Sequence, residues 1–362
     1  MKIESLSRLA CPSAECAGEL YVDEAEPSEV LGDGSELIEG ILRCRSCGAD
    51  YPVLLGVALL VPDLQQYLWG FWPEIERWGR QLQDVQISRT MLGYLGIASA
   101  HIGHAGPPPQ PEENLGWSVS PYLQVHGDRE SMMLGLPEGW WRSLVGRYGT
   151  EGPDPYRYLL DAAGRHRTDG GGLLAVEVGA GIGWGAAELA RDYGYCLGFD
   201  WSFTAVLTAR RYFLSSPLPL EGYELETEKG SFTDRPLQRP AQRDNLDFVV
   251  ADGARLPVAG AHAQCLAAIN VLCAAADPMS LFEEFSRGLG PEGLLLLATP
   301  YWADPGADGD SEFARGGPAF TRSALRKEFR VLEEADMVPW LLRLAQRRWN
   351  VYLSHCLVAV RT

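Results

Sequence analysis

Short apolar runs alternate with amphipathic stretches through the second half of the chain. The runs end in glycine or a carboxylate, which is typical of buried parallel strands, while apolar residues three to four apart predict helices. The predicted strands are 173–178, 195–199, part of 244–251, 264–270 and 293–299, and the predicted helices are 184–193, 202–214 and 279–289. This order predicts a doubly wound, mostly parallel α/β sheet. The alternating stretch 350–360 adds a last strand, whose direction the pattern leaves open.

The chain divides into three predicted domains, with boundaries at 1–64, 65–150 and 151–362. The middle domain is rich in aromatic residues. Its pattern predicts helices over 65–84 and 135–148, with a proline-rich connector at 107–111 between them. Such a helical cap either packs the outer domains together or lines a substrate pocket, and the two roles are compatible. Two long loops are predicted at 215–243 and 303–318. The tryptophans of the cap are Trp69, Trp72, Trp78, Trp117, Trp140 and Trp141.

Four of the eight cysteines fall in the first 50 residues as two close pairs, Cys11 with Cys16 and Cys44 with Cys47. Two short turns that each supply two thiolates can complete a tetrahedral zinc site. Four cysteines leave no open coordination position, so we predict a structural rather than a catalytic zinc ion. Two disulfides or unrelated thiols are the alternative, and a cytosolic setting disfavours disulfides.

The acidic net charge of the chain disfavours nucleic acid as a partner. The formal net charge is −17 over 362 residues. Residues 1–64 carry 4 basic and 12 acidic side chains, which gives −8, the opposite of the basic surface that grips nucleic acid. The stretch 17–43 between the cysteine pairs includes an acidic run whose role the sequence does not reveal. No apolar run reaches the ~20 residues of a membrane helix, and the start lacks a signal-peptide core. We therefore expect a cytoplasmic protein with no membrane partner, and the acidic charge disfavours a nucleic-acid partner.

The first segment resembles a known family. The stretches LACPSAECAGELY and ILRCRSCGADYPVLLGVALLVPD, within residues 9–64, are similar to the small zinc-ribbon activator subunit of tRNA, rRNA and release-factor methyltransferases. In that subunit a strand adds to the sheet of the catalytic partner. The resemblance implies that the ribbon docks in cis on the rest of the chain, through residues 51–61.

A glycine loop follows the first strand of the third domain. It reads VEVGAGIG, with Gly179, Gly181 and Gly183 after the strand, and such glycines let the backbone approach a ligand closely. A nicotinamide dehydrogenase could show the same spacing. Against that reading, a pyrophosphate would be repelled by Glu177 within the motif. Asp200 and Asp252 end the next two strands, where carboxylates can take ribose hydroxyls and an adenine amino group. Three such acids suit S-adenosylmethionine, which is cationic and carries no phosphate.

These motifs resemble class I S-adenosylmethionine-dependent methyltransferases over residues 170–362. The resemblance also covers the segments ADGARLP, INVL and PEG, and it implies a seven-stranded Rossmann-like sheet. It places Gly179, Gly181 and Gly183 against the methionine part, Asp200 on ribose, and Asp252 with Gly253 at adenine. It places Asn270 beside the methyl group, although a capping role for Asn270 stays open. Trp201 either flanks adenine or packs in the core. Ala274 departs from the Glu-His of many relatives, which removes a possible base.

The acceptor is the weakest part of the interpretation. Tyr301 and Trp302 follow the fifth strand at the carboxyl edge, where we expect a pocket wall. His101, His104 and His126 lie in the cap region, but no histidine is assigned as base and the catalytic residues stay unidentified. We expect methyl transfer to oxygen or nitrogen of a small-molecule or natural-product acceptor. The alternatives are a peptide or protein acceptor, then RNA, and last a binding module without turnover.

Overall fold

In a computed structural model of the chain, a mixed sheet of 12 strands lies between two layers of helices. Buried side chains alternate between its two faces, as the period of a strand requires. The described residues are 1–24, 26, 28–30, 33–81, 88–96, 119–133, 135–136, 138–150, 154–167, 173–214, 222–226, 232–236, 240–259, 262–302, 312–345 and 347–362.

The first 60 residues form a small antiparallel ribbon after a 3-10 helix at Ile3–Arg8. Its strands lie in the order β1-β3-β4-β5, and β2 pairs with β3. The β4–β5 turn consists of Leu55 and Gly56, which both have positive φ (53° and 80°), as a tight type I′ hairpin requires. The strands are β1 Leu20–Val22, β2 Glu29–Val30, β3 Leu37–Cys44, β4 Asp50–Leu54 and β5 Val57–Leu60.

The middle of the chain is helical where it is described. The predicted helix at 65–84 is observed as α1, while the one at 135–148 is shorter and passes into a π-helical turn at Gly146–Thr150. The proline-rich connector at 107–111 lies outside the described residues. The helices are α1 Leu64–Gln81, α2 Arg89–Tyr94, α3 Ser120–Gly127, α4 Trp140–Val145 and α5 Pro155–His166, with a 3-10 turn at Arg129–Met133.

Strands and helices then alternate, as the sequence predicts. Helix starts are fixed by side-chain caps: Ser202 Oγ accepts from Ala205 N (3.2 Å) and Asp277 Oδ1 from Met279 N (3.0 Å), satisfying amides that a helix start leaves open. The elements are β6 Leu174–Val178, α6 Trp184–Leu189, β7 Tyr195–Asp200, α7 Phe203–Phe213, β8 Gly222–Glu226, β9 Phe232–Pro236, β10 Leu246–Ala251, β11 Ala263–Ile269, α8 Pro278–Gly288, β12 Leu289–Thr299, α9 Glu312–Leu325, β13 Phe329–Ala345 and β14 Arg348–Arg361.

The sheet is larger than the seven strands predicted. Seven strands of the third domain lie in the order β10-β7-β6-β11-β12-β14-β13, and the ribbon strands continue the same sheet to a total of 12. The predicted last strand is β14, which is antiparallel to β12 and β13. Two loop predictions were wrong in part, because β8 and β9 form a hairpin within 215–243 and α9 begins at Glu312. The strand β13 was not predicted.

The ribbon joins the sheet through its last strand. β5 runs parallel to β10, with Leu59 opposite Val250 and Leu60 opposite Ala251. This pairing is the docking in cis that the resemblance of residues 9–64 implies. Because ribbon residues belong to both buried clusters, one on each face of the sheet, the core crosses the predicted boundary at residue 64.

Charged groups lie buried where the ribbon meets the sheet. Arg210 of α7 contacts Asp247 at the start of β10, and its Nη2 lies 2.9 Å from Glu36 Oε2 of the ribbon. Asp247 is fully buried, and it also accepts hydrogen bonds from Lys2 N (2.8 Å) and Ser5 Oγ (2.7 Å). One carboxylate thus ties the first residues of the ribbon to the sheet.

Within the described ranges, no helix is both long and apolar enough to cross a bilayer.

Replacing Asp247 with alanine should destabilise the protein by about 3–5 kcal/mol, because it leaves a buried arginine without one of its carboxylates. The matched control is Asp50→Ala, which removes a partly exposed partner of Arg43 and should cost about 0–1 kcal/mol. Urea unfolding of full-length protein measures both. Equal losses in the two variants would contradict a structural role for the buried cluster.

Candidate cofactor site and cysteine cluster

The glycine loop after β6 adopts a backbone that other residues would strain. Gly179, Gly181 and Gly183 have φ of 68°, 52° and 84°, in the region that glycine alone enters freely. A Cβ at Gly179 would lie 2.6 Å from Val271 Cγ2, and one at Gly183 2.3 Å from Phe248 Cζ. At Gly181 no atom lies within 4 Å of the added carbon, so the loop packs tightly at its two ends and leaves open space at its centre.

Glu177 lies beneath this loop with 1% of its surface exposed. Its Oε2 accepts a hydrogen bond from Ala186 N (2.6 Å) in the first turn of α6. Its Oε1 has no partner and lies so close to Gly185 that a Cβ there would be 2.1 Å away. Burial raises the pKa of Glu177 to about 8. An ionised carboxylate at this position needs a cation nearby, and a sulfonium or ammonium group would supply one.

Asp200, at the end of β7, is bound to the glycine loop. Its Oδ2 accepts from Gly181 N (2.7 Å) and its Oδ1 from Ser202 N (2.8 Å). Burial raises the pKa of Asp200, and hydrogen bonds from the backbone of Ser202, Gly181 and Trp201 oppose that shift. A carboxylate has about four acceptor positions, so those that remain can take the two hydroxyls of a ribose.

Trp201 lies beside Asp200 with 44% of its surface exposed. Its ring meets the edge of Tyr67 in α1 at a centroid distance of 5.0 Å, and its carbonyl accepts a hydrogen bond from the Tyr67 hydroxyl (3.0 Å). Trp78 Nε1 donates to Thr204 Oγ1 (2.7 Å) at the start of α7. Helix α1 of the cap is therefore held against the end of β7.

Three further predicted residues lie at the same edge of the sheet. Asp252 follows β10 and accepts from Ala254 N (2.9 Å), and a Cβ on Gly253 would lie 2.9 Å from Leu281 Cδ2. Asn270 follows β11 with φ of 58°, and its Oδ1 accepts from Ser354 Oγ of β14 (3.0 Å). The carboxyl ends of four neighbouring parallel strands thus bring Gly179, Asp200, Asp252 and Asn270 together.

Tyr301 and Trp302 have different surroundings. The Tyr301 hydroxyl lies 2.6 Å from His355 Nδ1 and 2.8 Å from Thr321 Oγ1 of α9, and burial raises the pKa of Tyr301 to about 12. His355 Nε2 lies 2.7 Å from Glu334 Oε1. Tyr301 is thus bound toward the α9 side of the sheet, whereas Trp302 is 51% exposed.

Sequence reasoning missed a cluster of aromatic side chains from the cap, helix α5 and the last hairpin. The ring of Trp340 in β13 lies 5.9 Å from that of Tyr122, 6.3 Å from Tyr156 and 5.7 Å from Tyr352. These residues come from four elements, two of which lie far from the hairpin in sequence, and only the aromatic content of the cap gave a signal.

Packing accounts for His126 among the histidine candidates. His126 is buried, stacks on Trp184 at 5.4 Å and meets the edge of Tyr156 at 4.8 Å. Burial lowers the pKa of His126 to about 3, so its ring is neutral at neutral pH. His101 and His104 lie outside the described residues.

The four ribbon cysteines converge at one point. Their sulfur atoms all lie within 4.8 Å of one another, with Cys11 to Cys47 at 3.6 Å and Cys16 to Cys44 at 3.5 Å. Disulfide sulfurs would be about 2.05 Å apart, whereas a zinc ion with Zn–S bonds of about 2.3 Å separates its tetrahedral ligands by about 3.8 Å. A Cβ on Gly18 would lie 2.8 Å from Cys44 Sγ, so the neighbouring backbone packs directly on the cluster.

Comparison with known proteins gives one family match, for residues 176–297, to a model described as a methyltransferase domain. Among curated protein sequences, none matches this chain. Solved structures align remotely. The MccD protein shares 12% identity over 58% of this chain and 99% of its own, with a TM-score of 0.39.

A chain of the Haloferax volcanii complex that contains the Trm112 methyltransferase activator shares 18% identity over 65% of this chain and 98% of its own, with a TM-score of 0.38. A SAM-dependent methyltransferase from Methanosarcina mazei shares 15% identity over 55% of this chain and 96% of its own, with a TM-score of 0.36. The matched segment 176–297 contains the glycine loop, Asp200, Asp252 and Asn270. Residues 176–297 of the chain therefore match a methyltransferase domain.

Proposed function

We propose that this enzyme transfers a methyl group from S-adenosylmethionine to oxygen or nitrogen of a small-molecule acceptor. The observation that carries the proposal is the packing of the cap helices and the last hairpin beside the carboxyl edge. Helix α1 contacts Trp201 and the start of α7, and the rings of α3 and α5 pack on Trp340 of β13. A site bordered in this way suits a small acceptor better than a folded macromolecule.

The residues at the strand ends fit the cofactor. Asp200 would hold the ribose, Asp252 and Gly253 the adenine, and the backbone of Gly179, Gly181 and Gly183 would lie along the methionine part. The partnerless Oε1 of Glu177 supplies negative potential beneath that loop. Trp201 is exposed enough to flank the adenine ring.

When bound, the cofactor supplies an electrophilic methyl carbon on a sulfonium. The protein's part is to align the acceptor's lone pair in line with the breaking carbon–sulfur bond and to exclude water. Asn270, fixed by Ser354 at 3.0 Å, borders the place where that bond breaks. The proton of the acceptor's O–H or N–H is released to bulk solvent when the methylated product leaves, and no side chain is assigned as base.

We propose further that Cys11, Cys16, Cys44 and Cys47 hold a structural zinc ion. The convergence of four thiol sulfurs within 4.8 Å supports this. With four protein ligands the ion would keep no open position, so it would stabilise the ribbon and take no part in methyl transfer.

The acceptor class can be tested with S-adenosylmethionine carrying a labelled methyl group, incubated with the protein and a lysate of its source. Label should appear in the small-molecule fraction. Label in protein or RNA would overturn the small-molecule acceptor.

Asp200→Asn should weaken binding of S-adenosylhomocysteine about 10- to 100-fold, since it removes charge-assisted hydrogen bonds worth about 1.5–3 kcal/mol. Asp192→Asn, an exposed control paired with Arg167, should bind S-adenosylhomocysteine as tightly as the wild type.

Metal analysis tests the cysteine cluster. We expect one zinc ion per chain, and Cys44→Ser should lose it together with stability, because ribbon and sheet share their core. Cys273→Ser, outside the cluster, should keep the ion. A metal-free wild-type protein with intact stability, or a Cys44→Ser variant with full zinc content, would contradict the assignment.

A further inference from the structure

The hairpin of β13 and β14 projects past the carboxyl edge of the sheet. β14 pairs with β12 only from His355, opposite Thr299, onward. Its earlier residues pair with β13 alone, out to Arg348 opposite Ala345. Because β14 is antiparallel to β12, this unshared part extends beyond the end of β12, by roughly 20 Å at the usual rise of a strand. It therefore stands beside the cofactor site.

One face of this projection starts at Ser354, next to Asn270. Ser354 Oγ donates to Asn270 Oδ1 at 3.0 Å. Residues two apart on a strand share a face, so Tyr352 is next outward from Ser354. Trp340 lies opposite Tyr352 in β13, and their ring centroids are 5.7 Å apart. A path of ring surface thus leads outward from the residue that borders the methyl group.

Helix α3 of the cap and helix α5 complete this surface. Tyr122 of α3 and Tyr156 of α5 pack their rings toward Trp340 at 5.9 and 6.3 Å. Trp340 and Tyr156 are buried, whereas Tyr122 and Tyr352 are partly exposed. Buried rings hold the partly exposed ones in place, which is a preorganised surface for another ring.

The charges around these rings disfavour an ionic acceptor. Arg129 Nη2 of the cap lies 3.2 Å from Asp154 Oδ2. The guanidinium of Arg343 in the hairpin is buried and donates to the carbonyls of Ser131 and Met132, both at 3.0 Å. Both arginines thus already have partners within the protein, which makes them poor counter-ions for a carboxylate or phosphate. A cationic acceptor would be repelled by the sulfonium beside it and would lack the lone pair that the reaction needs.

We infer that the rings of Tyr122 and Tyr352, held in place by Trp340, bind an uncharged aromatic acceptor, such as a phenol or an aromatic amine, with its nucleophilic atom toward Asn270. This inference rests on the proposed function and names the class of its acceptor. Stacking against tyrosine and tryptophan orients a planar ring, and an oriented ring aligns its substituent for in-line attack.

The test uses full-length protein saturated with S-adenosylhomocysteine and 2-naphthol as the probe, with binding followed by calorimetry. Decahydro-2-naphthol keeps the carbon skeleton without aromaticity, and 2-naphthoate adds a negative charge. We expect 2-naphthol to bind at least tenfold more tightly than either. Trp340→Leu and Tyr352→Leu should each lower the affinity for 2-naphthol at least tenfold. The controls are Tyr352→Phe, which keeps the ring, and Trp140→Leu, which changes a tryptophan that is 75% exposed. Their affinities for 2-naphthol should stay within twofold of the wild-type value.

Binding of S-adenosylhomocysteine to each variant separates the possible failures. The Trp340→Leu variant, changed at a buried position, could also fail to bind S-adenosylhomocysteine. In that case the Tyr122→Leu variant, changed at a partly exposed ring, replaces it in the test. Equal affinity for 2-naphthol and decahydro-2-naphthol would overturn the aromatic acceptor, as would absence of 2-naphthol binding to protein that binds S-adenosylhomocysteine. If the wild-type protein binds no S-adenosylhomocysteine, that result would instead contradict the proposed function.

Discussion

The parallel pairing of β5 with β10 is the interaction on which the rest of the structure depends. Without it, β10 would be an edge strand with unpaired amides, a surface that invites aggregation. The ribbon covers that edge and shares both faces of the core. Its attachment is reinforced by Asp247, which gathers Arg210, Lys2 and Ser5 in a buried cluster. A buried ion pair adds little net stability but makes a mispaired arrangement costly, so the cluster specifies how the ribbon docks.

The site follows from the position of β10 in this sheet. Asp252 ends β10, Asp200 ends β7, the glycine loop follows β6 and Asn270 follows β11. Because these four strands are neighbours and parallel, their carboxyl ends meet at one edge, where ligands bind in such sheets. Glu177 adds a carboxyl group whose pKa is raised to about 8 by burial, so its charge is favoured only when a cation lies close by.

The sequence predicted the parts of the fold that local pattern determines. The apolar runs located β6, β7, β10 and β11, and the cysteine spacing located the cluster of sulfurs. β13 was not predicted, because Glu333, Glu334 and Asp336 interrupt its alternation of apolar and polar residues and because its path depends on pairing with β14. The hydrogen bond from Tyr301 to His355 links residues 54 apart in sequence, and the rings around Trp340 come from four elements. Contacts of that kind depend on tertiary packing, which one sequence does not display.

A crystal structure of the full-length protein with S-adenosylhomocysteine tests the central claim most directly. The ribose should lie on the Asp200 carboxylate and the adenine beside Asp252. The sulfur should lie between the glycine loop and Asn270, with β5 still paired to β10. A ligand bound elsewhere, or a ribbon detached from β10 in protein that still binds the ligand at this edge, would contradict the account.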